Sequence, residues 1–247
     1  MINDLYQHLK LWNRKRRYLK KDALELDVIQ RFVKRGSIFF DIGAHKGVYT
    51  SFARDQIGPE GIVVCFEPQS ELNQYLERLV ELKHWNNVKV EKLALSNVDG
   101  ETDFFIPDSK SGTSPSASLE NGLNVINGRL INVRTQSLDS YCNKEGLWPD
   151  FIKCDVEGHE LTMLSAAKEL FETKAPSILL ECEQRHIKNG SVQEVISFFI
   201  SKGYKGFFFS DEELLSVDIF DSSIHQKMDG ERFWELRGYV NNFFFTK

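Results

Sequence analysis

The chain has 247 residues, of which 41% are hydrophobic and 27% are charged, and its formal net charge is -5. This length and composition suit one folded α/β domain with additions and argue against a mainly disordered chain. The acidic balance argues against a nucleic-acid footprint over the whole surface, and no apolar run approaches the roughly 20 residues of a membrane-spanning helix. Because the first 21 residues also lack the pattern of a signal peptide, we expect a cytoplasmic protein.

The cysteines predict reduced thiols rather than cross-links or metal ligands. No two of the four form a CxxC pair, and three lie within strand-like apolar runs. Free cysteine is among the residue types that are most often buried. We therefore expect buried thiols, as in a cytosolic protein, at Cys65, Cys142, Cys154 and Cys182.

The first 21 residues predict an amphipathic helix with a basic face. They hold seven Lys or Arg residues against one acid, and Leu5, Leu9 and Trp12 recur at helical spacing. Such a helix could dock on an anionic partner, such as a membrane surface, a nucleic acid or an acidic glycan. It could equally be a solvated helix that packs its Leu and Trp side chains on the core, and the sequence leaves both interpretations open.

A second helix is predicted after Asp22, which could act as its N-cap, and before Gly36. Its apolar residues recur at the spacing of an inward face. The sequence therefore divides into a basic helical extension packed on the core, residues 1–35, and a main domain, residues 36–247. The expected inward residues of this helix are Leu26, Ile29 and Val33.

The stretch SIFFDIGAHKG, residues 37–47, predicts a buried parallel strand that leads through a tight turn into a helix. In open α/β sheets, ligands bind beyond the carboxyl ends of the strands, where such turns lie. Gly43 and Gly47 would let the backbone approach a ligand closely, and Asp41 adds a carboxylate. The spacing matches neither the dinucleotide motif GxGxxG nor a phosphate-binding loop.

The carboxylate of Asp41 favours one kind of ligand over others. It would repel a pyrophosphate but would pair with an ammonium group. S-adenosylmethionine has an ammonium group, a sulfonium and a ribose diol, and it has no phosphate. A tight strand-to-helix turn without a ligand is the alternative interpretation of this stretch.

A second buried strand is predicted over residues 62–66, and it also ends in an acid, Glu67, followed by Pro68. Glu67 lies 26 positions after Asp41, near the roughly 20-residue offset at which an acid meets a ribose. A carboxylate can accept both hydroxyl groups of the diol. The alternative is an acid favoured by the N-terminus of the helix that is predicted over residues 70–82.

The next stretch predicts a third strand over residues 87–93 and a further short strand over residues 102–106. Between them, Ala94 and Leu95 could flank an adenine. Residues 107–122 are rich in Ser, Gly and Pro, and loops of this length tend to be functional or disordered. A lid over the substrate and a plain flexible insertion are equally good interpretations of this loop.

A buried strand over residues 151–154 ends in a dense group of ionisable side chains. Asp155, Glu157, His159 and Glu160 follow within six residues, an arrangement that is expensive unless it serves chemistry. It follows a strand near residue 130 and a helix that Thr135 or Ser137 could cap. A helix over residues 161–170 comes after it.

The remaining part of the chain predicts a fifth buried strand over residues 178–183, which includes Glu181, and a helix over residues 192–202. Three further strands are predicted over residues 204–209, 214–217 and 239–245, and not all of them are separated by long helices. We expect these strands to be antiparallel additions at the edge of the sheet.

The strand ends DIGAHKG, FEP, IKCDVEGHE and LLECE form a set that resembles the FkbM family of S-adenosylmethionine-dependent methyltransferases over residues 37–183, and YVNNFFF is also similar. The resemblance implies a class I methyltransferase fold, an α/β Rossmann-like fold with a seven-stranded, mostly parallel sheet, helices on both faces and an antiparallel edge. It also implies methyl transfer, usually to a hydroxyl of a sugar, glycan or natural product and sometimes to nitrogen. The positions that it assigns to the cofactor are Asp41, Gly43, Ala44, His45, Gly47, Glu67, Pro68, Ala94 and Leu95.

A base near the acceptor would help, because an alcohol is a poor nucleophile. His159 is the first candidate, since an unperturbed imidazole titrates near pH 6.5. Asp155, Glu157 and Glu181 are its rivals. The same carboxylates could instead bind Mg²⁺ and orient a diol, although no ligand spacing specifies a metal.

The acceptor is not readable from the sequence beyond a small molecule or glycan with a hydroxyl group. The loop over residues 107–122 and the segment over residues 210–234 are expected to shape its pocket. Phe220, Phe233 and Trp234 could stack on a sugar there or pack in the core. Two other functions stay open: a nucleic-acid methyltransferase with residues 14–21 as a basic arm, and a non-catalytic protein that binds the cofactor.

Overall fold

The structure is a computed structural model that describes residues 2–109, 112–120, 127–211 and 213–247. Its helices are α1 (Ile2–Lys21), α2 (Ala23–Phe32), α3 (Val48–Ile57), α4 (Ser70–Leu82), α5 (Leu138–Glu145), α6 (Glu160–Ser165), α7 (Lys168–Thr173), α8 (Val192–Ser201) and α9 (Ser222–His225). Its strands are β1 (Ile38–Ile42), β2 (Ile62–Phe66), β3 (Val88–Glu91), β4 (Ala94–Ser96), β5 (Gly100–Pro107), β6 (Gly128–Ser137), β7 (Phe151–Cys154), β8 (Ser177–Glu181), β9 (Lys205–Ser210), β10 (Glu213–Ser216) and β11 (Asn242–Thr246).

The main sheet has eight strands in the order β10-β9-β11-β8-β7-β1-β2-β3. Strands β3, β2, β1, β7 and β8 run parallel, whereas β11 is antiparallel to both of its neighbours and β10 is antiparallel to β9. The predicted class I methyltransferase architecture is therefore confirmed, but the strand number of seven is wrong by one. The additional strand is β10, which extends the antiparallel edge by a hairpin with β9.

A second, smaller sheet of three strands, in the order β4-β6-β5, lies beside the main sheet. Strand β4 pairs with β6 in parallel, and β5 pairs with β6 in antiparallel orientation. Ser137 ends β6 and caps α5, since its side chain accepts a hydrogen bond from the backbone N–H of Ser140. Ala94 and Leu95 lie in β4 of the smaller sheet, shortly after β3 at the edge of the main sheet.

The central strands are apolar on both faces because helices cover both sides of a parallel sheet. Phe39 of β1 packs in a cluster with residues of α2 and α3. Its neighbour Phe40 packs on the opposite face, in a cluster that includes residues of α5, α6 and α8. All four cysteines are buried and unpaired, in agreement with the predicted thiols.

The packing of α1 differs from its prediction. Leu9 and Trp12 are 49% and 53% exposed, whereas Leu11 is 3% exposed and packs with Leu79 and Trp85. The side chain of Leu5 lies outside the described residues. The packed stripe of the helix is therefore rotated from the predicted one, and the charged ends of Arg14 and Lys15 reach polar partners at Tyr75 and Asp55.

The predicted inward residues Leu26 and Ile29 of α2 are buried, and so is Val33, which directly follows the helix. Asp22 precedes the helix as predicted, but its side chain makes no cap hydrogen bond and instead accepts one from the hydroxyl of Tyr49 at 3.2 Å. The extension is thereby tied to α3. Whether residues 1–35 and 36–247 are separate units stays a prediction.

One other expectation about the helices is corrected. The helix predicted over residues 161–170 is interrupted, and α6 and α7 replace it. Alanines 166 and 167 lie at the break, where Ala167 is fully buried and begins the second helix.

In the described residues, no helix is both long and apolar enough to cross a membrane.

Candidate active site

A cavity of about 320 Å³ opens at the carboxyl ends of β1, β2, β7 and β8. The turns and side chains at these strand ends form one side of it, which we call the strand-end wall. On the other side lies α1, whose residues Arg14, Arg17, Tyr18 and Lys21 form what we call the helix wall. The position agrees with the rule that ligands bind beyond the carboxyl ends of the strands in open α/β sheets.

The turn after β1 is fixed by a close approach between backbones. Gly43 has a φ of 76°, and a Cβ at this position would collide with the carbonyl oxygen of Asp155. The backbone N–H groups of Gly43 and Ala44 both donate to the carbonyl of Phe66, at 3.0 and 3.1 Å. Glycine is therefore required at position 43, because only it fits against the end of β7.

Gly47 has a different role from the other residues of this turn. It adopts a left-handed conformation with φ 68° at the N-cap of α3, and a Cβ there would meet Leu76. It does not line the cavity, whereas Asp41, Gly43, Ala44 and His45 do. The predicted contribution of Gly47 to the ligand site is therefore indirect, through the shape of the turn.

Glu67 is buried at the end of β2, and its carboxylate is held by the backbone. Oε2 accepts a hydrogen bond from the N–H of His45 at 2.9 Å, and Oε1 accepts one from the N–H of Gln69 at 3.0 Å. Burial raises the pKa of Glu67 to about 7, although these hydrogen bonds oppose the change. Glu67 and Pro68 both line the cavity. The backbone thus fixes the direction of one carboxylate with unused acceptor capacity.

Asp41 is buried in β1, one residue before the strand ends. Its Oδ2 accepts a hydrogen bond from Oγ1 of Thr50 in α3 at 2.6 Å. Burial raises the pKa of Asp41, and the charge of Lys153 opposes this only in part. The structure therefore gives this carboxylate a partner in its own fold, which the sequence did not predict.

Lys153 is a site residue that the sequence reasoning missed. It lies opposite Asp41 in the register of β1 and β7, is 4% exposed, and donates to Oδ2 of Asp155 at 3.0 Å. Burial disfavours its ammonium group, but the carboxylates of Asp155, Glu181 and Asp41 outweigh burial and raise the pKa of Lys153. A single lysine inside the apolar strand FIKC was the available signal.

The predicted acids Asp155, Glu157 and Glu181 all line the cavity. Burial, reinforced by the charge of Asp155, raises the pKa of both Glu157 and Glu181 well above the usual value. Glu181 accepts a hydrogen bond from Nδ2 of Asn241 at 3.0 Å. The strand ends β7 and β8 thus bring together carboxyl groups that favour the protonated state.

Glu157 also has an unusual backbone. Its φ is 54°, a left-handed conformation that is strained for a residue with a side chain. Oε2 lies 3.0 Å from Nε2 of His186, and among the residues that the structure describes no hydrogen-bond partner reaches Oε1. Such strain is typical of functional sites, and Glu157 lines the cavity.

His159 lines the cavity, but both nitrogens of its ring have partners. Nε2 lies 2.9 Å from Oγ of Ser96, and Nδ1 lies 3.2 Å from Oε1 of Glu120. Burial lowers the pKa of His159, and the nearby carboxylate of Glu120 opposes this change. The ring is therefore held in place, and an acceptor hydroxyl would have to displace Ser96 to reach Nε2.

The loop between β5 and β6 covers part of the cavity. Ser114 and the side-chain amide of Gln69 exchange two hydrogen bonds, at 2.9 and 3.0 Å. At the other side of the cavity, Oγ of Ser118 lies within hydrogen-bond distance of the carbonyls of Val156 and Glu157, at 3.1 and 2.8 Å. Residues 112–120 are thus tied to the turns that follow β2 and β7, as a cover would be. Residues 110, 111, 121 and 122 of the predicted loop lie outside the described residues.

One end of the cavity is apolar. Ala94 and Leu95 line it together with Phe66, Phe104 and Leu119. These side chains come from the main sheet, the smaller sheet and the covering loop. Phe66 directly precedes Glu67 in the chain, so an apolar side chain and a carboxylate of the lining come from the same strand end, which suits a purine beside a ribose.

The segment over residues 210–234 does not form the pocket that was expected of it. None of its described residues lines the cavity. Phe220 is buried against Phe208, His225 and Phe243, and Trp234 lies under the guanidinium of Arg185. The prediction is therefore wrong, because the antiparallel edge carries this segment away from the parallel strand ends.

The alternative of a Mg²⁺ site on these carboxylates is not supported. Across the described ranges, no group of three or more His, Cys, Asp or Glu side chains is arranged to hold a metal ion. The acids have other partners: Asp155 pairs with Lys153, and Glu181 accepts from Asn241. Their oxygens do not converge as metal ligands do.

The fold and this site agree with a comparison to known protein families. The model of the methyltransferase FkbM domain matches residues 41–205, which include the whole strand-end wall from Asp41 to Glu181. The chain belongs to the FkbM methyltransferase family. The family is described as one of methyltransferases, and the fold of the chain is the class I fold. The match does not include α1, so the helix wall lies outside the part of the chain that the FkbM family model describes.

Solved structures resemble this FkbM-family chain in fold at low identity. Methyltransferase FkbM from Methylobacillus flagellatus KT is 13% identical, with a TM-score of 0.53 over 85% of this chain and 43% of that chain. The chain therefore spans less than half of that protein. A SAM dependent methyltransferase from Aquifex aeolicus is 15% identical, with a TM-score of 0.45 over 89% of this chain and 87% of that chain. Aeropyrum pernix fibrillarin, solved with natively bound S-adenosyl-L-methionine, is 12% identical, with a TM-score of 0.47 over 87% and 68% of the two chains. No curated protein sequence matches the chain.

Proposed function

We propose that this protein transfers the methyl group of S-adenosylmethionine to a hydroxyl group of a small molecule or glycan, and that it does so in the cytoplasm. One observation carries the proposal. The carboxylate of Glu67 is fixed by two backbone N–H groups beside the turn at Gly43, at the end of the sheet where the cavity opens. A carboxylate held in this way at the end of the second strand is suited to accept from both hydroxyls of a ribose.

The residues around the cavity fit this cofactor. Nε2 of His45 is buried without a hydrogen-bond partner among the described residues, so it is available to a polar group of a ligand. Burial lowers the pKa of His45 to about 4, so its ring is neutral near pH 7. Glu67 would hold the ribose, the turn from Asp41 to His45 would hold the methionine end, and the apolar end at Ala94 and Leu95 would hold the adenine. When bound, S-adenosylmethionine supplies an electrophilic methyl group on a sulfonium leaving group.

The protein must then orient the acceptor and take up its proton. We propose that Glu157 is the base, because it lines the cavity, has a free oxygen and lies next to Asp155. Its raised pKa makes it a stronger base than an ordinary carboxylate once it is ionised. His159 then positions the loop, through its contact with Glu120, and the end of β4, through Ser96. Lys153 holds Asp155 through an ion pair. Its ammonium group supplies a counter-charge that reduces the repulsion among the acids of the site.

Calorimetric titration with S-adenosylmethionine tests the proposal. Glu67→Gln should weaken binding by about 10- to 100-fold, because the loss of charge-assisted hydrogen bonds to the ribose costs about 1.5–3 kcal/mol. Glu71→Gln, in the exposed first turn of α4, is the matched control and should bind like the wild type. A folded wild-type protein that does not bind the cofactor would overturn the proposal, and so would equal affinities for the two variants.

A further inference from the structure

The seven basic residues of the first 21 do not act alike in the folded protein. Lys15 pairs with Asp55 at 2.8 Å and lies over the ring of Phe52. The guanidinium of Arg16 lies over the ring of Trp12, which is exposed. These side chains therefore have partners on the outside of the protein.

Arg14, Arg17 and Lys21 recur at intervals of three and four residues, so they share one face of α1, and all three line the cavity. Lys46, in the turn after β1, lines it as well. Arg14 donates one hydrogen bond, from Nη1 to the hydroxyl of Tyr75 at 2.7 Å. The helix wall and this turn thus present four cations to one space.

These four cations lack direct counter-charges. In the described part of the chain, no ion pair joins any of them to a carboxylate. Asp22 lines the same cavity, and its carboxylate accepts from the hydroxyl of Tyr49 and interacts with the charges of Lys21 and Arg17 without a direct ion pair. Burial lowers the pKa of Lys46, and the like charges of Arg14, Arg17 and Lys10 lower it further. Cations that repel one another beside an enclosed space are stabilised by an anionic ligand.

The cofactor alone does not account for four cations. S-adenosylmethionine has one carboxylate, which can pair with one or two of them, and its sulfonium and ammonium groups favour the acids of the strand-end wall. We propose that the acceptor of this methyltransferase is itself anionic, and that Arg14, Arg17, Lys21 and Lys46 bind its phosphate or carboxylate group. Guanidinium groups suit this role because they bind either oxyanion through paired hydrogen bonds. The inference rests on the proposed function, since it names the substrate class of the same cavity.

A nucleic acid is a poorer fit to the same charges. Arg16 and Lys20 are exposed and do not line the cavity, whereas Arg17 and Lys21, which are also exposed, line it together with the half-buried Arg14 and Lys46. The net charge of the chain is -5, which argues against a basic nucleic-acid footprint over the surface. An anionic small molecule that enters the cavity is therefore the substrate class that the geometry favours.

The test measures binding of inorganic pyrophosphate and of citrate by calorimetry, with the protein saturated with S-adenosylhomocysteine and also without it. The double variant Arg14→Gln, Arg17→Gln removes two cations from the cavity. The double variant Arg16→Gln, Lys20→Gln removes the same charge from the outer face of the same helix. We expect the first to weaken binding of at least one anion by 10-fold or more and the second by less than about 2-fold. The stronger of the two anions identifies phosphate or carboxylate chemistry.

Titration of both double variants with S-adenosylmethionine separates this inference from the proposed function. Unchanged cofactor affinity, together with weakened anion binding in the first variant, supports an acceptor site. Loss of cofactor affinity without loss of anion binding would assign the cations to the cofactor's carboxylate and overturn the inference. If the wild type binds the anions but not the cofactor, the proposed function fails while the anion site stands.

Two further results would also overturn the inference. One is the absence of anion binding by the wild-type protein in the presence and in the absence of S-adenosylhomocysteine. The other is tighter binding of a short single-stranded RNA, weakened equally by both double variants, which would point to a diffuse nucleic-acid surface. If the first double variant does not fold, Arg17→Gln alone repeats the test, because the Arg17 side chain makes no hydrogen bond to the described residues.

Discussion

The two walls of the cavity are held in place by different kinds of interaction. The strand-end wall comes from turns that follow buried strands, and its key positions are fixed by backbone contacts, such as the approach of Gly43 to Asp155. The helix wall comes from an amphipathic helix whose orientation depends on a few packed side chains, among them the buried Leu11. The first wall carries acids and the second carries cations.

This difference teaches where the sequence of such a site is constrained. A turn that a Cβ would block can be recognised by its glycine, whatever the rest of the chain does. A helix that packs by one stripe can rotate toward a neighbouring stripe at a cost of a few apolar contacts. The family match covers the first wall and omits the second, so the helix wall is the part that can distinguish the acceptor of this chain.

The largest expected effect concerns chemistry at the strand-end wall. Glu157→Gln should lower turnover by about 10² to 10⁴, the usual contribution of a positioned base, without changing cofactor affinity. Because burial raises the pKa of Glu157, wild-type turnover should rise with pH as the carboxyl group loses its proton. Methyl transfer from labelled S-adenosylmethionine to an acceptor found by screening measures both.

His159→Gln is the matched comparison for this experiment, because His159 lines the same cavity. We expect it to reduce turnover far less than Glu157→Gln and to lower thermal stability, since it breaks the contacts to Ser96 and Glu120. If His159→Gln abolishes turnover in a stable protein while Glu157→Gln is active, the base is His159.

The next effect tests whether backbone contact fixes the strand-end wall. Gly43→Ala should lower the free energy of unfolding by about 4 kcal/mol, because the new Cβ meets a backbone oxygen at a left-handed φ. Gly146 also has a left-handed φ, of 67°, but nothing lies within 4 Å of its Cβ position. Gly146→Ala should therefore cost only about 1–2 kcal/mol. Urea unfolding measures both, and equal losses would mean that the close approach is absent.

A buried acid links the helical extension to the last strand. Oε1 of Glu25 in α2 accepts from Nδ2 of Asn242, and Asn242 lines the cavity. Burial raises the pKa of Glu25 from 4.5 to about 7, so the folded protein binds this proton more tightly than the unfolded chain does. The contribution of this proton to the free energy of unfolding is complete below about pH 4.5. It is lost as the pH rises through 7, by about 3 kcal/mol in total.

Glu25→Gln keeps the hydrogen bond but cannot ionise. The free energy of unfolding of this variant should therefore fall less between pH 5 and pH 8 than that of the wild type. Relative to the two proteins' difference at low pH, the variant should be more stable at pH 8 by about 3 kcal/mol. Asp27→Asn, in the same helix and in an exposed pair with Arg31, should leave the pH dependence unchanged. Identical slopes for Glu25→Gln and the wild type would show that Glu25 titrates as an ordinary carboxyl group.

The smallest expected effect tests how the helix wall is held. Leu11→Ala should cost about 2 kcal/mol, because it leaves a gap between α1 and the side chains of Leu79 and Trp85. Leu9→Ala, at an exposed position of the same helix, should change stability by less than about 0.5 kcal/mol. Hydrogen exchange of the α1 amides measures both. Greater loss of protection in Leu9→Ala would place the packed stripe where the sequence had predicted it.

Much of the strand-end wall was predictable from the sequence alone. The apolar runs before Asp41, Glu67, Asp155 and Glu181 mark strands that are covered on both faces, and a parallel arrangement places their ends at one edge. Gly43 marks the turn. These signals are local, so they survive without knowledge of the packing. The partners of Asp41 and Glu181 were not predictable, because Thr50 and Asn241 reach them from other parts of the chain, whereas Lys153 lies only two residues before Asp155.

The sequence by itself determined the α/β architecture, the order of the strand ends and the acids that they carry. The tertiary structure decided which face of α1 meets the cavity, which side chains hold His159, and where the segment over residues 210–234 lies. The physical reason is how far apart in the sequence the interacting residues lie. A strand and its turn are specified by neighbouring residues, whereas the direction of a charged side chain on a helix follows from the few apolar contacts that orient the helix. Leu11 rather than Leu9 supplies those contacts, and only the folded chain brings Leu79 and Trp85 to meet it.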